Sequence, residues 1–233
     1  MNRHISEQYE NELAQLHDLL MEMGGIVERQ VTNASMALIE HDQNLAEQVR
    51  NEEHKINHLE IELDDLCVAI IAKRQPTAGD LRRVVSVMKM IVDLERIGDE
   101  AERIAKMALR LVGSTKPDHQ YAGFRKIHNV VAEGLSRTLD AFARQDLDNA
   151  LAAIAMDKAV DSAYKELTAL CTSDLAQNSH EVDNILSVMW AARSLERIGD
   201  HAKNISEYII YQVKGEDVRH SSERRKQLTS ASE

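Results

Sequence analysis

Aromatic residues make up only 3% of this 233-residue chain and proline occurs twice, which leaves few rings to fill a β-rich core and few breaks in the backbone. Against that scarcity stand abundant Leu, Ala, Ile, Glu and Met, the composition of an all-α protein with an aliphatic core. Cysteine is limited to Cys67 and Cys171, each among apolar neighbours in a predicted helix, so both read as core thiols and nothing implies an oxidising compartment. Basic residues are outnumbered, 28 Lys and Arg against 39 Asp and Glu, for a net charge of −11. A nucleic-acid binder needs a basic footprint, and the only basic runs here are Arg82-Arg83 and residues 224–226, so no nucleic acid is expected as partner. No run reaches the roughly 18 apolar residues of a membrane span. The first ten residues are polar and lack the apolar region of a signal peptide, which makes a cytoplasmic protein the expectation. The ten His are scattered, and the one i, i+4 pair, His54 and His58, has no H-E-x-x-H context. With no Gly-rich phosphate loop and no paired nucleophile and base, the chain does not read as an enzyme.

What the sequence does contain is a repeat. The hexamer Leu94-Glu95-Arg96-Ile97-Gly98-Asp99 returns letter for letter at Leu195-Glu196-Arg197-Ile198-Gly199-Asp200, 101 residues later. On a helical wheel Val87, Met90, Leu94, Ile97, Ala101, Ile104 and Ala108 form one apolar stripe for burial. A second stripe starts with Leu81, Val84, Met88 and Ile91 and turns acidic at Glu95, Asp99 and Glu102. Carboxylates at i and i+4 lie about 6 Å apart, and like charges there cost a few tenths of a kcal/mol unless a cation intervenes. A solvated acidic face accounts for one such pair. It gives no reason to keep Arg, Ile and Gly in place through a duplication, so the recurrence favours a shared functional surface, with cation binding the leading form. Gly98 and Gly199 point the same way, because glycine inside a helix costs roughly 0.5–1 kcal/mol and suggests close approach by a helix or a ligand.

Hydrophobic spacing predicts helices over about 6–40, 45–73, 77–110, 121–144, 147–171 and 181–213. Asp42 or Asn44 is available as the cap of the second, and Thr77 with Asp80 resembles a capping box for the third. Gly24-Gly25 mark either a kink or a flat spot where a neighbour comes near. Gly215 closes the sixth helix. The fold class is therefore all-α: six long antiparallel helices in two tandem pseudo-symmetric three-helix bundles, residues 1–112 and 119–215, with a polar tail over 216–233 expected to be disordered from about Ser221.

The first two helices of each unit align at an offset of 104 and the third helices at 101. On the second helix Glu53, Asn57, Glu60 and Asp64 follow one side of the apolar stripe. The offset lays Glu53 on Asp157 and Asn57 on Asp161, but Glu60 on Tyr164 and Asp64 on Thr168. Second and third helices bearing these oxygens have the means to surround a cation. Glu95 and Asp99 would bind with Glu53 or Asn57, and Glu196 and Asp200 with Asp157 or Asp161. All-oxygen ligation favours Mg²⁺ or Mn²⁺, with Fe in range and a thiolate zinc site excluded by the placement of both Cys. Further along the third helices Arg103 brings a built-in charge where Asn204 brings a neutral ligand, so the second site is expected to have the larger affinity for an external cation.

The two units with their E-R-I-G-D helices, the segment Arg74-Gln-Pro-Thr-Ala-Gly-Asp-Leu-Arg82, the opening His4-Ile-Ser and Met23-Gly-Gly-Ile-Val-Glu28 together resemble the PhoU family over about residues 2–219. That resemblance implies a cytoplasmic dimer of pseudo-symmetric bundles that represses the phosphate-starvation response. It implies two partners, the ATPase subunit of a phosphate ABC transporter and a phosphate sensor histidine kinase, with the membrane reached only through them. The family's metal ligands carry over to Glu95, Asp99, Glu196 and Asp200, joined by Glu53, Asn57, Asp157 and Asp161, and its members hold Fe, Zn, Mg or Mn. The competing reading is a divalent-metal-dependent phosphohydrolase or a metal buffer. Without a base, a nucleophile or a phosphate-gripping Lys or Arg cluster beside the acidic faces, the sequence favours the adaptor.

Overall fold

The computed structural model describes the backbone of residues 2–114, 118–177 and 181–219, and side chains from residue 7 onward. Among the described residues it is all-α: α1 (Asn2–Glu40), α2 (Gln43–Arg74), α3 (Ala78–Arg110), α4 (Asp118–Arg144), α5 (Leu147–Gln177) and α6 (Val182–Lys214). The periodic apolar positions are what these helices bury: Leu16, Met23, Val27 and Val31 on α1, Leu94 and Ile97 on α3, Phe124, Ile127 and Leu135 on α4, Leu195 and Ile198 on α6.

Within each half every helix packs on the other two, and the halves meet along α3 against α6 and α1 against α4. Both junctions are antiparallel. Along one, Lys89 lies over the Tyr208 ring and Arg110 over Trp190; along the other, His17 stacks on Phe142 while His41 Nε2 meets the Tyr121 hydroxyl at 2.8 Å. The buried apolar residues of both halves form one contiguous interior.

The repeat survives in the turns. His41 and Gln145 take left-handed φ values of 58° and 52° at equivalent places. The next residue caps the following helix in both halves: Asp42 accepts the Leu45 N–H at 3.0 Å, and Asp146 accepts those of Asp148 and Asn149 at 2.9 and 3.1 Å.

Three details differ from the sequence reading. Thr77 occupies the cap position of α3 but its side chain caps nothing, because the Asp80 N–H is taken by the Thr77 carbonyl at 3.1 Å. Of the two readings of Gly24-Gly25, the close neighbour holds: α1 continues through them, and a Cβ on Gly24 would lie 2.6 Å from Leu139 Cδ2 of α4. The polar tail begins later than expected, since Val218 is fully buried and Asp217 ion-pairs with Arg219 at 2.6 Å. The expected disorder from Ser221 lies outside the described residues.

Candidate metal centre

Two glycines let the acidic helices close on one another. A Cβ on Gly98 would meet Ile56 Cδ1 of α2 at 2.8 Å, and one on Gly199 would meet Val160 Cγ1 of α5 at 3.3 Å. The contacted residues are themselves equivalents at the 104-residue offset, so the same close approach is built twice. Within a turn of each contact stand the carboxylates: Glu95 and Asp99 beside Gly98, Glu53 and Glu60 about Ile56, Glu196 and Asp200 beside Gly199, Asp157 and Asp161 about Val160. The glycines thus serve helix approach, and that approach is what gathers the acids.

Their charges feel one another. Partial burial raises the Glu95 carboxyl above the usual carboxylate range, and the charges of Asp99, Glu60 and Glu53 raise it further while Arg96 opposes them. Glu60 is raised by burial and then by Asp64 and Asp99. In the second half burial again leads: Glu196 is pushed up by burial, Asp200 and Asp161 against Arg193, and Asp200 by burial, Asp157 and Asp161 against Lys203. Seven of the eight sequence-selected residues therefore fall into two clusters. Asn57 is exposed and donates to Glu53 Oε1 at 3.3 Å, a supporting place more than a ligand's. Glu60 and Asp64, which the sequence places on the same side of the α2 stripe but not among the ligands, join the first cluster.

Does a divalent cation suit these residues? The donor set is all oxygen, the charges repel, and Glu196 Oε2 is buried with no hydrogen-bond partner. Each is what a hard cation would relieve. In the present side-chain placement no three Asp, Glu, His or Cys among the described residues converge on one point. Ligation would therefore draw the carboxylates inward by rotamer change.

The two residues that set the expected ranking of the sites do not enter them. Arg103 turns away from the acids to Glu100 at 2.7 Å, and Asn204 donates to Asp93 at 3.2 Å, so neither touches its cluster. Instead Lys203 reaches Asp157 at 2.6 Å and Arg193 reaches Glu196 at 2.6 Å, whereas among the described residues the first cluster has only Arg96, at 3.4 Å from Glu95. The second cluster carries its own cations. Reading along one helix could not show it, because the Lys203 partner lies on α5.

Sequence reasoning also missed the polar seam between α3 and α6. Asp93 and Glu100 are buried there, with His201 Nδ1 2.6 Å from Asp93 Oδ1 and Arg197 Nη1 2.6 Å from Glu100 Oε1. A signal existed: Asp93 and Glu100 share a helix face at i, i+7, and the repeat replaces them with Ser194 and His201, so the two halves carry different charge on this face. Both thiols are buried, which pushes Cys67 up to about 12 and Cys171 up to about 11. His54 and His58 are exposed on α2.

A pH dependence follows from the raised carboxyls. A group that holds its proton more readily in the folded chain supports folding below the ordinary carboxylate range, and that support is lost as pH rises through the raised value. Glu95→Gln removes the loss. In metal-free protein it should be more stable than wild type by some tenths to about 1 kcal/mol near pH 7, the gain vanishing near pH 4. Urea denaturation in EDTA at both pH values checks this, and a variant less stable than wild type at neutral pH would contradict it.

No helix among the described residues is long and apolar enough to cross a membrane. The PhoU domain model matches residues 20–108 and 124–209. The chain is 46% identical over 220 residues to the phosphate-specific transport system accessory protein PhoU homolog of Pseudomonas putida, covering 94% of this chain and 86% of that one. It is 40% identical over 222 residues to PhoU of Escherichia coli K12, covering 94% and 91%. Among solved structures it resembles PhoU from Pseudomonas aeruginosa, with a TM-score of 0.87 and 43% identity over 89% of this chain and all of that one. It also resembles the phosphate transport system regulatory protein PhoU from Streptococcus pneumoniae, with a TM-score of 0.83 and 27% identity over 90% and 99%.

Proposed function

The chain belongs to the PhoU family, and from that premise we propose that it regulates phosphate uptake and represses the phosphate-starvation response as an adaptor without chemistry of its own. Its partners in this reading are the ATPase subunit of a phosphate ABC transporter and a phosphate sensor histidine kinase. It works in the cytoplasm as a homodimer and reaches the inner membrane through those partners. Residues 1–112 and 119–215 act as two equivalent units, each presenting one carboxylate face.

The observation that carries the reading is the pairing of relatives named for phosphate-transport accessory and regulatory roles with a duplicated acidic face on one continuous helical body. Such a body suits binding one partner state more tightly than another. A preference of about 1.4–2.8 kcal/mol shifts a two-state kinase about ten- to a hundredfold. A divalent ion, Mg²⁺, Mn²⁺ or Fe²⁺ by donor type, would neutralise the clustered carboxylates and set the spacing of α2 against α3 and of α5 against α6.

Deleting the gene in a strain with intact transporter and kinase should switch on a phosphate-starvation reporter in phosphate-rich medium, several-fold or more. A reporter that stays repressed at high phosphate in that strain would end the adaptor reading.

A further inference from the structure

We propose that a cleft between α1, the start of α3 and the end of α4 binds a phosphate dianion, either inorganic phosphate or a phosphate monoester. The cleft has a volume of about 390 Å³ and is walled by His17 and Asp18 of α1, Arg83 of α3, and Arg144 and Gln145 at the end of α4. That volume lies within the range of small-molecule pockets and leaves room for a substituent on the anion.

The case rests on unspent positive charge in an acidic protein. Among the described residues many arginines are tied to carboxylates, as Arg74 is to Glu12, Arg137 to Glu133 and Arg219 to Asp217. Arg83 and Arg144 form no ion pair or hydrogen bond with any described residue. Two unpaired guanidiniums facing one cleft are the donors best matched to a tetrahedral oxyanion, since each offers a planar fork of N–H groups. His17 stacks on Phe142 with ring centroids 5.1 Å apart, which holds its imidazole at the cleft wall, where Nδ1 lies 3.4 Å from Asp18 Oδ1. Asp18 is the one carboxylate in the lining, and it is exposed to water. The end of α4 would oppose an anion through its free carbonyls, but the Asp146 and Gln145 N–H groups cap those of Ala141 and Phe142 at 3.0 and 3.4 Å.

The cleft is separate from the acidic faces. Arg83 precedes Glu95 by 12 residues on α3, about 18 Å along the helix. Arg83 belongs to the first half and Arg144 to the second, so an anion held by both ties α3 to α4 across the halves. This gives a protein of the proposed function a direct means of responding to phosphate; its physiological sense rests on that reading, while the binding itself does not.

Calorimetric titration of the full chain in EDTA, so that no metal presents the anion, tests it with inorganic phosphate in one arm and glycerol 3-phosphate in the other. Saturable binding of at least one is expected, and the tighter of the two identifies the source. The Arg83→Gln, Arg144→Gln double variant should weaken it about a hundredfold, about tenfold for each guanidinium. Both side chains lie at the surface, and far-UV circular dichroism confirms that the fold is kept. Arg137→Gln, which removes an equal charge elsewhere on α4, should leave the affinity unchanged. Absence of saturable binding in both arms, binding untouched by the double variant, or equal weakening by Arg137→Gln would each overturn the site. None of these results bears on the reporter strain, so the two proposals fail separately.

Discussion

Titrated with Mn²⁺ after demetallation, the Asp99→Asn, Asp200→Asn double variant is expected to bind about a hundredfold or more weakly than wild type. Each substitution removes one negative charge and one ligand oxygen from a cluster whose charges already raise neighbouring carboxyls, Glu95 in the first and Glu196 in the second. A hard cation draws its affinity from such charge, and the loss of even a supporting group at a metal site costs about 10–100-fold. The wild type should titrate in two unequal phases. The first cluster is expected to bind more tightly, because Lys203 and Arg193 already serve Asp157 and Glu196 in the second. Lys203→Met should accordingly strengthen the weaker phase. Equal Mn²⁺ affinity in wild type and double variant would show that these faces are only solvated acidic surface.

Leu195→Asp is expected to cost about 5 kcal/mol or more, which approaches or exceeds the whole stability of a typical domain. Leu195 is fully buried inside the second copy of the hexamer, so the change empties apolar volume and leaves a charge with no partner. Leu195→Met, nearly equal in volume, should cost less than about 1.5 kcal/mol. Because one interior runs through both halves, denaturant should unfold wild type in a single transition. Two resolved transitions, or an aspartate variant as stable as the methionine variant, would contradict this account of the core.

What could be read from the sequence was whatever depends on one helix and its copy. The stripe through Leu94, Ile97 and Ile104 is legible because burial repeats with the helical period, and the recurrence of Gly98 at Gly199 points to a close approach, whose partners Ile56 and Val160 only the structure supplies. Glu53 and Asp157 could be assigned to their clusters for the same reason. Illegible were features that depend on how two helices rotate against each other. Arg103 and Asn204 sit at the spacing of a ligand, yet their side chains serve the α3–α6 seam, whose partners lie more than a hundred residues away for Asp93 with His201. Gly24 looks the same in sequence whether it bends a helix or admits Leu139. Val218 follows the end of the last helix in a polar stretch, and only tertiary burial distinguishes it from tail.

The most direct test of the adaptor account is autophosphorylation of the sensor kinase in membrane vesicles that also carry the phosphate transporter, with phosphate and Mn²⁺ present. Added wild-type protein should suppress the phosphorylated kinase about tenfold or more, the Asp99→Asn, Asp200→Asn variant should suppress it much less, and neither should hydrolyse a phosphomonoester. Unchanged kinase phosphorylation, together with metal-dependent release of phosphate from the ester by the wild type alone, would contradict the account and make the carboxylate faces a catalytic site.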